Sequence, residues 1–478
     1  MKTPFSGHLS QEAPLMRRLI DLLSENFDYV SILSTDSIGF SLRVSSKVKR
    51  LSRETMTTER GHVVRLYRNN CYFEYAFNEF DPSNIENKAH EIIKAYNDQQ
   101  QVLSSVGLLP YVTACLPDEP EEKEVFFDTE RLPETENLSQ LVCRFDQLSS
   151  EGMKKGKQLI DLTLSAQSTH ISKLFQTKHR DLRQSYVYSE GSIVAVASDG
   201  EQVRIAYDEV SGRKGPELFG KEYEQKLESV LGISEDLMRA DRIIPGTYDI
   251  ITAPDVTGLI AHEAFGHGVE MDMFVKRRAL GAEYIDKRVG SPLVTMHEGA
   301  NCAVDVTSYA FDDEGTPAGD VTEIDHGILK TGICDALSAL RLGTHPTGNG
   351  KRENFEHKVY TRMTNTVFDS GTDSLEEMIR SIKHGYLLRG IDSGMEDPKH
   401  WGIQCIVSRG YEIKDGKLTG KVVAPVVMTG YVPDLLNSVS MVSPDREIFG
   451  SGGCGKGHKE WVKVADGGPY LKARANLG

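Results

Sequence analysis

The stretch His262-Glu263-Ala264-Phe265-Gly266-His267 limits what this chain can fold into more than any other feature. It closes an apolar run and sets two imidazoles and a carboxylate within six residues. Those are the groups a metallohydrolase requires: nitrogen ligands for a metal, and a base beside it to deprotonate water. In the common zinc-peptidase helix the histidines stand four apart and share one face. Here they stand five apart, which on a regular helix separates them by roughly 140°. For both rings to reach one ion, the helix must make a wide π-type turn or distort at Gly266, whose backbone tolerates unusual angles. Two unrelated surface histidines are the competing reading, and a third ligand brought from elsewhere decides against it.

Glu270 is the nearest candidate for that ligand. Cys454 is the stronger one, displayed in the glycine-rich run Gly450-Ser451-Gly452-Gly453-Cys454-Gly455-Lys456-Gly457-His458. A nearby cation or metal favours the thiolate, which is the metal-binding form, and Lys456 lies two residues on. His458 is a weaker alternative from the same loop. Two imidazoles and one thiolate leave a fourth position open, the arrangement of a catalytic zinc site rather than a structural one. The soft thiolate also favours zinc over magnesium or calcium. Glu263, next to the first ligand, is expected to act as general base towards metal-activated water and to pass the proton to the leaving amine.

With 478 residues the chain is long enough for two or three domains. A net charge of −15 argues against nucleic acid as the main partner, because phosphate binding needs a basic face. No apolar run is long enough to span a membrane, and no secretory signal is evident. Seven cysteines, scattered and odd in number, suit a reducing cytoplasm better than a disulfide framework.

Periodicity predicts a helix over 15–26 and strands over 29–33, 38–44, 63–68 and 72–77, with Asn69-Asn70 as a hairpin turn. Asp81-Pro82-Ser83-Asn84 is expected to open a further helix running to about Tyr96. Residues 117–136, acidic and carrying three prolines, read as a surface linker. A helix is predicted over 152–166, followed by strands over 169–176, 180–188, 192–197 and 202–208. Near residue 220 the pattern changes to a polar helix, 221–239, and a strand, 248–252. The motif helix is expected to start at Thr252 as N-cap, with Pro254 and Asp255 in its first turn. Beyond 290, short strands and turns dominate, among them 302–306, 320–330, 404–414 and 417–427, with Asp415-Gly416 turning the last pair. The predicted class is α+β: a mixed α/β amino-terminal domain, 1–220, then a β-rich carboxy-terminal domain, 221–478, carrying the motif helix.

The segment His262-Glu263-Ala264-Phe265-Gly266-His267-Gly268-Val269-Glu270 resembles the metal motif of the TldD/PmbA family of zinc metallopeptidases. Further matches follow in order: Asp313-Glu314-Gly315-Thr316-Pro317, then Pro346-Thr347-Gly348-Asn349-Gly350-Lys351-Arg352, then Arg362-Met363-Thr364-Asn365-Thr366. The Cys454 loop and the tail Gly467-Gly468-Pro469-Tyr470-Leu471 complete the set. The resemblance is to the TldD type, which keeps the HExxxH motif, and not to the PmbA (TldE) type, which lacks it. It implies one zinc ion per chain held by His262, His267 and Cys454, with Glu263 as catalytic acid/base, and hydrolysis of unfolded or short extended peptides. It implies a homodimer, or a heterodimer with a metal-less PmbA/TldE-type subunit. Arg352, Arg362 and Asn365 are candidate substrate-positioning residues. The alternative function is a non-catalytic, metal-containing subunit that binds peptides or regulates a partner.

Overall fold

The computed structural model describes residues 1–108, 111–456 and 461–478. Two large sheets organise them. The first has eight strands, built on three long antiparallel ones: Tyr29–Val44, Leu159–Thr177 and Arg180–Ser198. Arg60–Arg68 and Cys71–Phe77 extend it on one side, turning at Asn69 and Asn70 with the positive φ of a tight hairpin. Val203–Gly212 extends it on the other.

Alternation along the long strands assigns their two faces. Val30, Ile32, Phe40, Leu42, Leu164 and Ile193 point to a layer of four helices: Gly7–Ser24, Ile85–Ser105, Leu138–Lys155 and Lys221–Met238. The last of these packs Tyr223, Leu227 and Val230 on the first sheet, not on the second. On the opposite face, Leu33, Ile171, Tyr186 and Tyr188 meet Val306, Tyr309 and Phe311 from the carboxy-terminal half.

Three local expectations are corrected here. The acidic segment 117–136 contains a strand, Glu121–Phe126, paired parallel to the start of Arg180–Ser198. Its run of carboxylates suits an edge strand, where charge discourages further pairing. The helix expected over 152–166 lies earlier, at Leu138–Lys155, with the Asn137 side chain accepting the Gln140 N–H. Residues 159–166 instead begin a long strand, because Leu162, Leu164 and Ala166 alternate inward. Residues 302–306 form turns rather than a strand.

The second sheet has eleven strands and closes on itself. Ala465–Leu477 pairs with Gly246–Thr252 along most of its length and with Val426–Tyr431 at its end. Gly402–Lys414 and His384–Asp397 join those neighbours into a ring. Asp415 and Gly416 turn the predicted hairpin with positive φ. The α+β class therefore holds, with helices layered on one sheet and a β-rich carboxy-terminal half. Among the described residues no helix is long and apolar enough to cross a membrane.

Candidate metal centre

Strand Gly246–Thr252 feeds directly into the motif. Thr252, expected as the helix cap, is the last residue of the strand, and its hydroxyl bonds that of Thr257 at 2.7 Å. Ala253 takes the cap position and Pro254 the first helical one, where a missing N–H costs nothing. Pro254–Leu259 is regular α-helix; Ile260–Gly266 then widens into a π-turn, closed by the His267 N–H donating to the His262 carbonyl five residues back. Of the two routes open to the five-residue spacing, the wide turn is the one adopted. Gly266 is needed for contact rather than for dihedral freedom: a Cβ there would lie 2.2 Å from Met363 Sδ. Leu259, Ile260, Ala261 and Phe265 join the main core, and the two imidazoles come to 5.1 Å between centroids, nearly perpendicular.

Cys454 arrives on a two-residue hairpin arm, Gly453–Cys454 against Val462–Lys463. Two cations anchor it. Arg362 Nη2 donates to the Cys454 carbonyl at 2.7 Å, and Lys456 Nζ reaches Asp272 Oδ1 at 2.6 Å and Glu270 Oε2 at 3.1 Å. Cys454 Sγ thereby lies 3.2 Å from Nε2 of His267, 187 positions earlier in the chain. One donor atom from each of His262, His267 and Cys454 falls within 4.8 Å of the others. Among the described residues this is the one such group. His458 lies outside the described residues.

The electrostatics match the geometry. Burial pushes the Cys454 thiol up, but the imidazoles of His262 and His267 outweigh it and hold the thiol well below its ordinary range. Burial works against protonation of both histidines, yet Cys454 raises the two, His267 strongly. The sulfur is thus held as thiolate, the ligating form. His262 Nδ1 is buried without a hydrogen-bond partner. Two imidazoles and a thiolate converging on one point suit zinc, and they are the donors that would hold it.

Glu270 has another place. Its Oε2 faces His267 Nδ1 at 3.2 Å, so the two nitrogens of that ring point to Glu270 and to the sulfur. Burial would raise its carboxyl; Lys456, His267 and Arg362 reverse this and hold it well below the carboxylate range. Such a partner fixes the ring orientation of a metal ligand.

A cavity of about 770 Å³ opens over the cluster, lined by His262, Glu263, His267 and Cys454. Glu263 is half-buried, and its stem packs on Gly394, where a Cβ would lie 2.4 Å from Glu263 Cγ. Three acids unforeseen from sequence share the cavity: Asp392, Glu396 and Asp466. Burial raises Glu396 to about 9 and Asp466 to about 7. Asp466 directly precedes the matched tail Gly467-Gly468-Pro469, a signal that could have found it; Glu396 has none.

Arg352, Arg362 and Asn365 do not line this cavity. Arg352 pairs with Glu74 at 2.5 Å, and Asn365 is fully buried, accepting from Thr307 and donating to the Gly299 and Ala303 carbonyls. Arg362, fully buried, braces the Cys454 backbone. The Arg352 Nη1 and Nη2 groups and the Asn365 amide are engaged in holding the chain together, while Arg352 Nε is buried without a hydrogen-bond partner.

A model of the PmbA/TldA metallopeptidase C-terminal domain matches residues 245–472. A metalloprotease of Methanothermobacter thermautotrophicus is 30% identical over 308 residues, covering 61% of this chain and 66% of that one. Metalloprotease MJ0996 of Methanocaldococcus jannaschii is 26% identical over 486 residues, 96% of this chain and 98% of that one. The crystal structure of TldE from Thermococcus kodakarensis shares the fold, with a TM-score of 0.76 at 17% identity, covering 97% of this chain and all of that one.

Proposed function

The chain belongs to the TldD/PmbA family, and from that membership we propose that it is a zinc-dependent peptidase of the TldD type, acting on unfolded or short extended peptides. The observation that carries this reading is the meeting, in one open cavity, of Cys454, His262 and His267 with the carboxylate of Glu263.

His262, His267 and Cys454 would hold one zinc ion, which supplies Lewis acidity to a water and to the peptide carbonyl. Glu263, on the turn between the two histidines, takes the proton from the attacking water and delivers it to the leaving amine. Glu270 keeps His267 oriented, and Lys456 and Arg362 keep the Cys454 arm seated. An extended substrate finds a template on the cavity wall. Residues 391–397 have strand Gly402–Lys414 on one side, while pairing on the other ends at Leu388. A peptide added there as a strand is held through its backbone, which favours breadth over sequence preference. The reading includes assembly as a homodimer or with a metal-less PmbA/TldE-type subunit.

The test is Glu263→Ala. Cleavage of an unstructured peptide should fall by at least about 100-fold, with zinc content by atomic absorption unchanged. Retained turnover removes Glu263 from its role. A zinc-loaded wild-type chain that binds peptide without cleaving it favours the non-catalytic alternative.

A further inference from the structure

The Cys454 arm separates two cavities. On one side is the metal cleft. On the other, between the two halves of the chain, is a smaller cavity of about 250 Å³, large enough for one bulky residue. Trp461 borders both, and the flanking Val462 and Lys463 border the second. The walls of the second cavity are aromatic: Tyr186, Tyr188 and Tyr309 from buried positions, Phe355 and Trp461 nearer its mouth.

Its charges are unevenly matched. Lys173 pairs with Asp313, Arg352 with Glu74, and Lys463 with Glu190. Lys351 differs. Its ammonium donates to two backbone carbonyls, Lys463 O at 2.5 Å and Met363 O at 3.1 Å, and has no carboxylate within ion-pair distance among the described residues. Two carbonyls use two of three N–H groups, and the carboxylates of Glu298 and Asp313 act on the charge only from beyond ion-pair distance. Desolvation first, and Arg362 second, lower this ammonium to about 7, the direction expected of a cation awaiting a counter-ion. Glu59 also borders the cavity; it accepts the Phe355 N–H at 2.7 Å, and burial raises it to about 7.

We propose that this cavity receives the carboxy-terminal residue of a bound peptide, its aromatic or bulky apolar side chain among the rings and its terminal carboxylate at the Lys351 ammonium. A free carboxylate supplies the missing charge and accepts the remaining N–H; rings stack on rings. Trp461, which lines both cavities, sets this subsite beside the metal cleft. The proposal rests on the peptidase reading of that cleft.

The experiment uses the full chain, zinc-loaded, with Glu263→Gln to suppress turnover. N-terminally fluorescein-labelled hexapeptides ending in phenylalanine are titrated by anisotropy, as free acid and as amide. The free acid should bind about tenfold to a hundredfold more tightly, the worth of a hydrogen bond to a charged group. Lys351→Met should abolish that preference, and Lys351→Arg should retain it. Replacing the terminal phenylalanine by alanine should weaken the free acid further. Equal affinity of acid and amide overturns the proposal without any variant. So does an amide with an internal glutamate that matches the free acid, or an amide ending in lysine that exceeds it through Glu59. If the wild-type enzyme cleaves no peptide yet the acid preference persists, the peptidase reading fails and the subsite stands. Equal binding with cleavage intact gives the reverse.

Discussion

Glu270 shows how residue type and role separate at the scale of single side chains. Its position three residues after His267 made it the nearest candidate for a third ligand, and its carboxylate is indeed at the site. It faces the ring nitrogen turned away from the sulfur, and Lys456 meets the same carboxylate oxygen. Glu270→Gln is expected to lower zinc affinity by about 10- to 100-fold while the cluster still assembles, as read by competition with a chromophoric chelator. Unchanged affinity would show that His267 needs no orienting partner. That His262, His267 and Cys454 would meet beside Glu263 was legible because few other combinations of residue types suit metal hydrolysis. Glu396 and Asp466 were not, because a lone carboxylate in sequence looks the same on a surface and in a cavity. Arg352 and Asn365 are ambiguous for a related reason: their donors suit a substrate as well as they suit Glu74 and the Gly299 carbonyl.

At the scale of elements, the five-residue spacing foretold an irregular helix, and backbone chemistry narrowed the irregularity to two forms. The choice between them was made by packing. The π-turn lets Phe265 stay in the core beside Trp401, 5.3 Å between ring centroids, while both histidines turn to the cavity. Gly266→Ala would drive a methyl into Met363, which shares a cluster with Cys454, Val462 and Val464. We expect a loss of about 1 to 3 kcal/mol in urea unfolding, accompanied by weaker zinc binding as the Cys454 arm shifts. A variant of wild-type stability would mean that Met363 moves aside freely. Elsewhere, hairpin turns at Asn69-Asn70 and Asp415-Gly416 were readable because positive φ has a residue signature. The strand Glu121–Phe126 was hidden, because its stabilising contact is pairing with Arg180–Ser198, and its acidic composition describes only the exposed side.

The whole molecule depends on ion pairs buried where the two halves meet. Arg65, on the first sheet, contacts Glu74 beside it and Glu314 from the second half, and Arg352 returns to Glu74. Burial opposes ionisation of Glu74, but Arg352 and Arg65 prevail and lower it from 4.5 to about 2. A carboxyl depressed in the folded state contributes stability above its unfolded value, and that contribution is lost as pH falls from about 4.5 to 2. Glu74→Gln should therefore cost about 2 to 3 kcal/mol at pH 7, near the low end for a broken buried pair since the side chain retains 22% exposure. The difference from wild type should shrink as pH falls through that window, measured by chemical denaturation. A difference independent of pH would assign the loss to packing instead.

The sequence by itself determined the chemistry: which donors are available, that zinc suits them, that Glu263 stands between the two histidines, and that their helix cannot be regular. These follow from residue type and from the pitch of a helix, which are local properties. Only the tertiary structure decided that the irregularity is a π-turn, that Glu270 faces the His267 nitrogen turned away from the sulfur, and that a second cavity adjoins the first. Those outcomes depend on Met363, Lys456, Arg362 and Trp461 arriving from distant positions. What brings them together is the closure of the second sheet and the matching of buried charge, neither of which is written in any short stretch of chain.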